Sequence, residues 1–383
     1  MDKKNKNPNV PNLRFNNDPY KEYNLYEFAT RITRKNKDNV SNLPLTISAQ
    51  YGLVDQVSFF NKTVASKDMS GYYLLKNGEF AYNKSYSNDY PWGAIKRLDL
   101  YDMGCLSTLY ICFKTNDNIV NSNYLVHYFE SSKWHKQVAD IAGEGARNHG
   151  LLNIAVNDFF NTKHAVPTIE NQIKIAGFLD LIEERIQTQI KIINDYKLLK
   201  KYITKSFIKQ KGTSYLLSEI AELGRGRVIS SAEISKQKNP IYPVYSSQTT
   251  NNGVMGYLDN YDYEGEHITW TTDGANAGTV YYRNGKFNCT NVCGILKIKN
   301  GYDAYYISNI LNCYTKKYVS TNLANPKLMN NVMANIKINL PSIERQKYFS
   351  NILKAIEYRV KIEQDIKLNL AKQKVFLLKN MFL

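Results

Sequence analysis

The chain has 383 residues and a mass of 44.1 kDa, so more than one folding core is expected. Lys and Arg total 50 against 34 acidic residues, and the resulting charge of +16 with a pI near 9.3 favours a polyanionic partner such as nucleic acid. With 43% hydrophobic and 13% aromatic residues wholesale disorder is excluded, and no apolar run approaches the ~18 residues of a membrane span, so a soluble, cytoplasmic protein is expected.

Residues 13–165 carry short apolar runs among Tyr, Asn and Gly, the pattern of a mixed α/β domain. Helical pieces are expected near Leu25–Arg34 and Asn123–Ala142, and strands at Gly71–Leu75, Gly78–Tyr82 and Leu106–Phe113. At Pro167 the pattern changes. Pro167, Thr168, Ile169 and Glu170 form a helix-start signal with Thr168 as N-cap, and Leu179, Ile182, Ile186 and Ile193 then follow the four- and three-residue steps of a coiled-coil seam. Residues 213–339 return to the mixed α/β pattern, with a helix near Ala304–Tyr318 and strands at His267–Thr271, Gly278–Tyr282 and Val292–Ile298. From Pro341 the helix signal recurs with Ser342 as N-cap, and Leu353, Ile356, Val360 and Leu370 continue a second seam.

The two helical stretches are one repeat at an offset of 174 residues: PTIENQIKIAGFLDLIEERI from Pro167 aligns with PSIERQKYFSNILKAIEYRV from Pro341. Polar breaks recur in register at Gln189/Glu363 and Lys200/Lys374. The expected order is therefore 1–165 globular, 166–212 helix, 213–339 globular and 340–383 helix. This is a pseudo-twofold α/β architecture in which two long helices pack as an antiparallel coiled coil and separate two mixed domains. The four segments carry net charges of +4, +4, +3 and +5, so positive potential is spread along the chain, as suits a protein lying along a length of nucleic-acid backbone.

Polar loops in the globular parts offer groups that read base edges. Gln248, Thr249 and Asn251 lie in SSQTTNN, and Thr271, Thr272, Asp273 and Asn276 in TTDGAN; Gln and Asn can bond adenine bidentately, and Thr offers a hydroxyl or a methyl. Asp273-Gly274 is equally a turn signal, and Gln248 equally a solvated loop residue. Arg283 and Lys327 are candidate phosphate contacts, with Arg147 at a place comparable to Lys327 before the first repeat. In the first globular part Gln50 and Tyr51 correspond to Gln248 and Thr249, and Asn83, Lys84 and Tyr86 to the loop of Thr271–Asn276, with packing the alternative for Tyr86.

Chemistry-bearing motifs are missing. The five Cys residues form no disulfide framework, and Cys289 and Cys293 have no second pair at zinc-ligand spacing, so no metal is expected. Gly224-Arg225-Gly226 is a lone GxG and Gly285-Lys286 lacks the rest of a P-loop, so neither a nucleotide cofactor nor enzyme activity is expected of this chain. A stand-alone two-domain DNA-binding regulator or architectural protein is compatible with the same features. A self-contained methylating enzyme lacks its motifs, and a purely structural coiled coil leaves the globular parts without a task.

The repeats PTIENQ and PSIERQ, the string WTTDGANAGTVYYRNGKFNCTNVCGIL from Trp270 to Leu296, and GEGARNHGLLNIAVNDFF from Gly143 to Phe160 together resemble the specificity subunits of type I restriction-modification systems. The resemblance implies two target recognition domains, each reading one half of a bipartite, asymmetric sequence in double-stranded DNA, with the helices fixing the gap. It also implies two modification subunits that bind S-adenosylmethionine and methylate adenine, two restriction subunits that use ATP and Mg, and no catalysis in this chain.

Overall fold

Pro167 and Pro341 each close a short strand and open a long helix, and the cause is local. A proline brings no N–H for the turn to satisfy, and the carbonyls of Thr168 and Ser342 accept the first helical bonds from the Gln172 and Gln346 amides at 2.9 and 3.0 Å. The side chains of those glutamines complete the junction. Gln172 Nε2 donates to Pro167 O at 2.8 Å while its Oε1 accepts from the Asn121 amide at 2.7 Å; Gln346 repeats this with Pro341 O at 2.8 Å and the Asp303 amide at 3.0 Å. Both side chains are buried, so the repeated Gln couples each long helix to the start of a globular helix.

The computed structural model describes residues 11–383 apart from 17, 49, 63, 88–89, 144–149, 209 and 321–324. The chain divides into two compact units, one holding the residues up to Gln189 with Ile366–Leu383, the other Ile190–Asp365. The first unit runs β1 (Lys21–Asn24), α1 (Leu25–Phe28), β2 (Ala29–Arg31), β3 (Leu45–Ser48), β4 (Gly52–Asp55), α2 (Gln56–Phe60), β5 (Tyr73–Lys76), β6 (Phe80–Asn83), β7 (Ala94–Arg97), β8 (Met103–Leu106), β9 (Ile111–Thr115), α3 (Ser122–Glu130), α4 (His135–Ile141), α5 (Val156–Phe160) and β10 (Lys163–Val166). Helix α6 (Ile169–Ile208) follows. The second unit runs β11 (Thr213–Leu216), α7 (Leu217–Ile220), β12 (Ala221–Arg225), α8 (Ser231–Ser235), β13 (Tyr242–Tyr245), β14 (Val254–Leu258), β15 (Tyr263–Glu264), β16 (His267–Thr271), β17 (Val280–Arg283), β18 (Lys286–Cys289), β19 (Cys293–Ile298), α9 (Ala304–Tyr314), α10 (Asn330–Ala334) and β20 (Lys337–Leu340), before α11 (Ile343–Asn380).

The units repeat each other strand for strand. The sheet β2-β9-β6-β7 is matched by β12-β19-β16-β17, and the antiparallel pair β1-β10 by β11-β20. The sheet β14-β13-β18-β15 is matched by the pairs β3-β4 and β5-β8, which the parallel bridge Pro44–Cys105 joins as β13 joins β18. Each unit has its own core. In the first, the rings of Phe80, Phe113, Phe129 and Phe159 pack beneath the sheet, with Phe80 and Phe113 stacked at 5.3 Å. In the second, Ile268, Trp270 and Leu296 of the sheet meet Tyr306, Ile307 and Leu311 of α9 and Phe349 and Leu353 of α11.

The long helices run antiparallel. In the second unit Lys200 pairs with Glu357 and Phe207 packs on Phe349, so numbers rise on α6 as they fall on α11. In the first, Glu183 pairs with Lys374 at 2.7 Å. The offset of 174 converts Glu183 into Glu357 and Lys200 into Lys374, so one ion pair is made twice. The breaks at Lys200 and Lys374 are thus clasps across the seam. Leu179, Ile182, Ile186, Ile193, Leu353 and Ile356 are buried, while Val360 and Leu370 are half-buried. The other break, Glu363, is buried and answered by Arg359 one turn earlier at 2.7 Å.

Three sequence expectations need correction. Leu25–Arg34 is one helical turn and then a strand: the Glu27 carboxylate accepts from the Asn24 amide at 2.7 Å and closes the turn, after which Ala29–Arg31 pair with β9. Asn123–Ala142 is two helices, broken where Trp134 turns into the core and its indole N–H donates to Phe129 O at 3.0 Å. Leu106–Phe113 holds the end of one strand and the start of another around a turn. Among the described residues no helix is long and apolar enough to cross a membrane.

Candidate nucleic-acid interface

In the second unit one loop leaves β13, Ser246 to Gly253, and another leaves β16, Thr272 to Ala277. The first is closed at its neck, where the Ser246 amide donates to Gly253 O at 2.9 Å, and at its tip Asn251, Asn252 and Gly253 take φ of 48°, 53° and 84°. Asn and Gly are the residues that tolerate this left-handed backbone best. The second loop is held by a neighbouring segment, with the Gly274 amide on Pro326 O at 3.0 Å and the Leu328 amide on Thr272 O at 2.8 Å. Asn276 Nδ2 donates to Thr249 Oγ1 at 3.2 Å, so the two loops meet.

Charge gathers at the same place. Lys327 Nζ lies 3.7 Å from one Asp273 carboxylate oxygen and Arg225 4.0 Å from the other, which also accepts from Thr272 Oγ1 at 2.6 Å. Thr249, Asn251 and Asn276 are exposed, and Asp273 and Lys327 half-buried, so these five expected residues share one rim. Gln248 is half-buried and its side-chain amide donates to Val254 O. Thr271, Thr272 and Arg283 are at most 4% exposed, so they lie beneath the rim and do not face solvent. Burial leaves them little surface for direct contact with DNA in this conformation.

The first unit builds an equivalent rim on a shorter frame. The Leu152 amide donates to Lys84 O at 2.9 Å and the Tyr86 amide to Gly150 O at 3.0 Å, the two bonds that Leu328–Thr272 and Gly274–Pro326 make in the second unit. Lys84 therefore stands where Thr272 does and Tyr86 where Gly274 does. Asn83 and Lys84 are half-buried, and Tyr86 is exposed. The same ladder places Leu151 opposite Ser85, as Lys327 is opposite Asp273. Lys327 thus matches Leu151 by register; Arg147 lies outside the described residues. Gln50 and Tyr51 are exposed in a three-residue turn between β3 and β4, where the second unit has eight residues.

Residues 211–372 match the type I restriction modification DNA specificity domain family. The Mycoplasma pneumoniae chain named as type I specificity subunit S.MpnORF201P is 39% identical over 196 residues, which cover 50% of this chain and 81% of that one. The chain belongs to the type I specificity-subunit family. The specificity subunit of the M. pneumoniae type I restriction enzyme MpnII is 42% identical over 146 residues, 38% of this chain and 43% of that one. Two solved structures share the fold at 15% identity. The type I restriction-modification S subunit from M. genitalium gives a TM-score of 0.59 over 98% of this chain and 99% of its own. A chain from work on assembly and conformational transition of a type I R-M system gives 0.61 over 96% and 99%.

In this specificity-family chain, sequence reasoning missed Arg225, which closes on Asp273 from the end of β12. The two are 48 residues apart with no local signal, and only the sheet brings them together. Cys289 and Cys293 are buried near each other, and their mutual hydrogen bond, with burial, raises the Cys289 thiol. Among the described residues no group of three His, Cys, Asp or Glu could hold a metal ion.

Proposed function

We propose that this chain is the non-catalytic DNA-recognition subunit of a type I restriction-modification complex in the cytoplasm. The observation that carries the reading is the duplication itself: two units of one topology, each presenting a polar loop rim and each fastened by its own buried Gln to the start of a long helix. The rim of the second unit reads one half of a bipartite, asymmetric target. There Asn251 and Asn276 suit adenine, Asp273 can accept from the cytosine amino group, and Lys327 and Arg225 approach phosphate. Gln50, Tyr51, Asn83, Lys84 and Tyr86 serve the other half. The helices set the unread gap and dock two modification subunits, which bring S-adenosylmethionine and methylate adenine. Two restriction subunits with ATP and Mg complete the assembly.

Helix length tests this directly. A heptad inserted into α6 between Ile186 and Ile203, with a matching heptad in α11, adds about 10 Å of helix, or about three base pairs of DNA. The selected target should keep its bases and gain a longer gap. Retained binding with an unchanged gap would remove the spacer role.

A further inference from the structure

Arg283 is the charged residue that the rim does not account for. It is 4% exposed, and among the described residues no carboxylate lies within ion-pair distance of it. Its guanidinium instead lies 3.5 Å from the ring centre of Tyr245 and 4.4 Å from that of Tyr281, faces that attract a cation. Its Nε donates to Thr269 Oγ1 at 3.2 Å. One terminal nitrogen donates to the Asn252 carbonyl at 2.9 Å, at the tip of the loop after β13.

That carbonyl sits in the middle of three consecutive residues with positive φ, Asn251, Asn252 and Gly253. Such a run is disfavoured for L residues and persists where surrounding structure over-determines it. A buried arginine is a costly prop, because its charge must be satisfied by rings and neutral acceptors alone. The first unit supplies the contrast. There the turn after β3 is three residues long, and the register that sets Arg97 opposite Phe80 sets Tyr282 opposite Ile268, so the place of Arg283 is held by the buried, uncharged Leu98, whose amide donates to Glu79 O at 2.9 Å. A long left-handed loop and an unpaired buried arginine occur together in the second unit.

We infer that Arg283 is a positioning residue that sets which bases the second unit reads, by holding the Asn251–Gly253 backbone in its left-handed shape from beneath. This deepens the proposed function and rests on it. Asn251 and Asn252 are both exposed and form the reading pair, and Arg283 touches no DNA. A loosened loop then costs discrimination at the second half-site while the first stays as it was. Lysine at 283 restores only part of it, because an ammonium cannot stack flat between two rings and keep both directed bonds.

The test is selection of the full chain on a random duplex DNA library, for the wild type, Arg283→Met, Arg283→Lys, Gly253→Ala and Asn251→Ala. Wild type should select a split sequence. Arg283→Met should melt cooperatively, keep the first half-site and lose preference at one or more bases of the second by about tenfold or more, with Arg283→Lys intermediate. Gly253→Ala is the second route to the same loop: its Cβ would stand 3.2 Å from the Arg283 guanidinium, on a residue with φ of 84°, so it should reproduce the second-half-site change. If Arg283→Met fails to fold, Gly253→Ala decides. A changed second half-site from Asn251→Ala, with none from a folded Arg283→Met or from Gly253→Ala, overturns the positioning role and leaves the recognition reading intact. A wild-type chain that selects no sequence overturns both.

Discussion

Exchanging residues 213–339 for the matching segment of another specificity subunit changes one half of the DNA target and leaves the other half as it was. The segment carries the whole second rim, from Arg225 through Asn251 and Asp273 to Lys327, together with both sheets that position it. Its ends are favourable places to cut. Thr213 pairs with Leu340 at the mouth of β11 and β20, so the segment enters and leaves the unit at one point. What must be matched is the helix surface, because Phe207, Phe349 and Leu353 enter the same core as Tyr306, Ile307 and Leu311. A donor with residues of similar volume there avoids a cavity cost of about 2–5 kcal/mol per truncated large side chain. Comparing selected sequences before and after exchange checks the prediction. Changes in both halves would contradict independent reading.

Replacing Lys374 with Met destabilises the chain by about 3 kcal/mol, whereas Lys200→Met, at the equivalent place in the repeat, costs less than about 1 kcal/mol. The sequence treats the two lysines alike, but their surroundings differ. Among the described residues Lys200 pairs with one carboxylate, that of the half-exposed Glu357 across the seam. Lys374 is largely buried and holds two carboxylates, Glu130 at 2.8 Å and Glu183 at 2.7 Å, and Glu130 is also approached by Lys96 at 3.4 Å and His127 at 3.9 Å. Removing Lys374 strands those carboxylates. Urea unfolding of the two variants should separate them; equal losses would mean that burial of the cluster contributes nothing.

The same cluster makes stability depend on acid. Burial acts to raise the Glu130 carboxyl, but the nearby His127 ring and the charges of Lys96 and Lys374 together outweigh it and hold the group far below the usual carboxylate range. Glu183 is lowered too, with burial opposing and the Lys374 and Gln187 hydrogen bonds prevailing. A carboxylate lowered in the folded state stabilises the fold fully above its unfolded value, near ~4.3, and that contribution is lost as the pH falls through the folded value. Stability should therefore decline below about pH 4.3, less steeply in Lys374→Met.

The helices were legible because their signals are local and repeated. The Pro-Thr/Ser start, the seam spacing and the offset of 174 residues depend on a few neighbouring positions, and α6 and α11 begin at Ile169 and Ile343, beside the expected N-caps. The Gln pair 172/346 was visible as a repeat, but its task was not, since its partners at Asn121 and Asp303 lie 51 and 43 residues away. The strand His267–Thr271 stood out by its β-branched and aromatic run and forms as read. The pairs β1-β10 and β11-β20 were missed because each strand is four residues long and gains its partner only after more than a hundred residues. At the rim, sequence identified polar loops but not depth. Thr271, Thr272 and Arg283 look like contacts in a string of polar residues, yet β16 is buried along its whole length and takes Thr271 and Thr272 down with it, while Arg283, at the end of β17, pairs with the buried His267 of β16. Depth depends on which strand lies central in the sheet, and that is set by β19 and β17 on either side.

The central claim is that this chain supplies split DNA recognition to a methylating partner. The most direct measurement is a genome-wide map of methylated adenine in cells expressing the neighbouring modification subunit with and without this chain. Methylation at a split, asymmetric sequence that disappears when the chain is omitted is the predicted result. Methylation that persists without it, or a chain that binds DNA yet neither joins the modification subunit nor directs it to any sequence, would contradict the account.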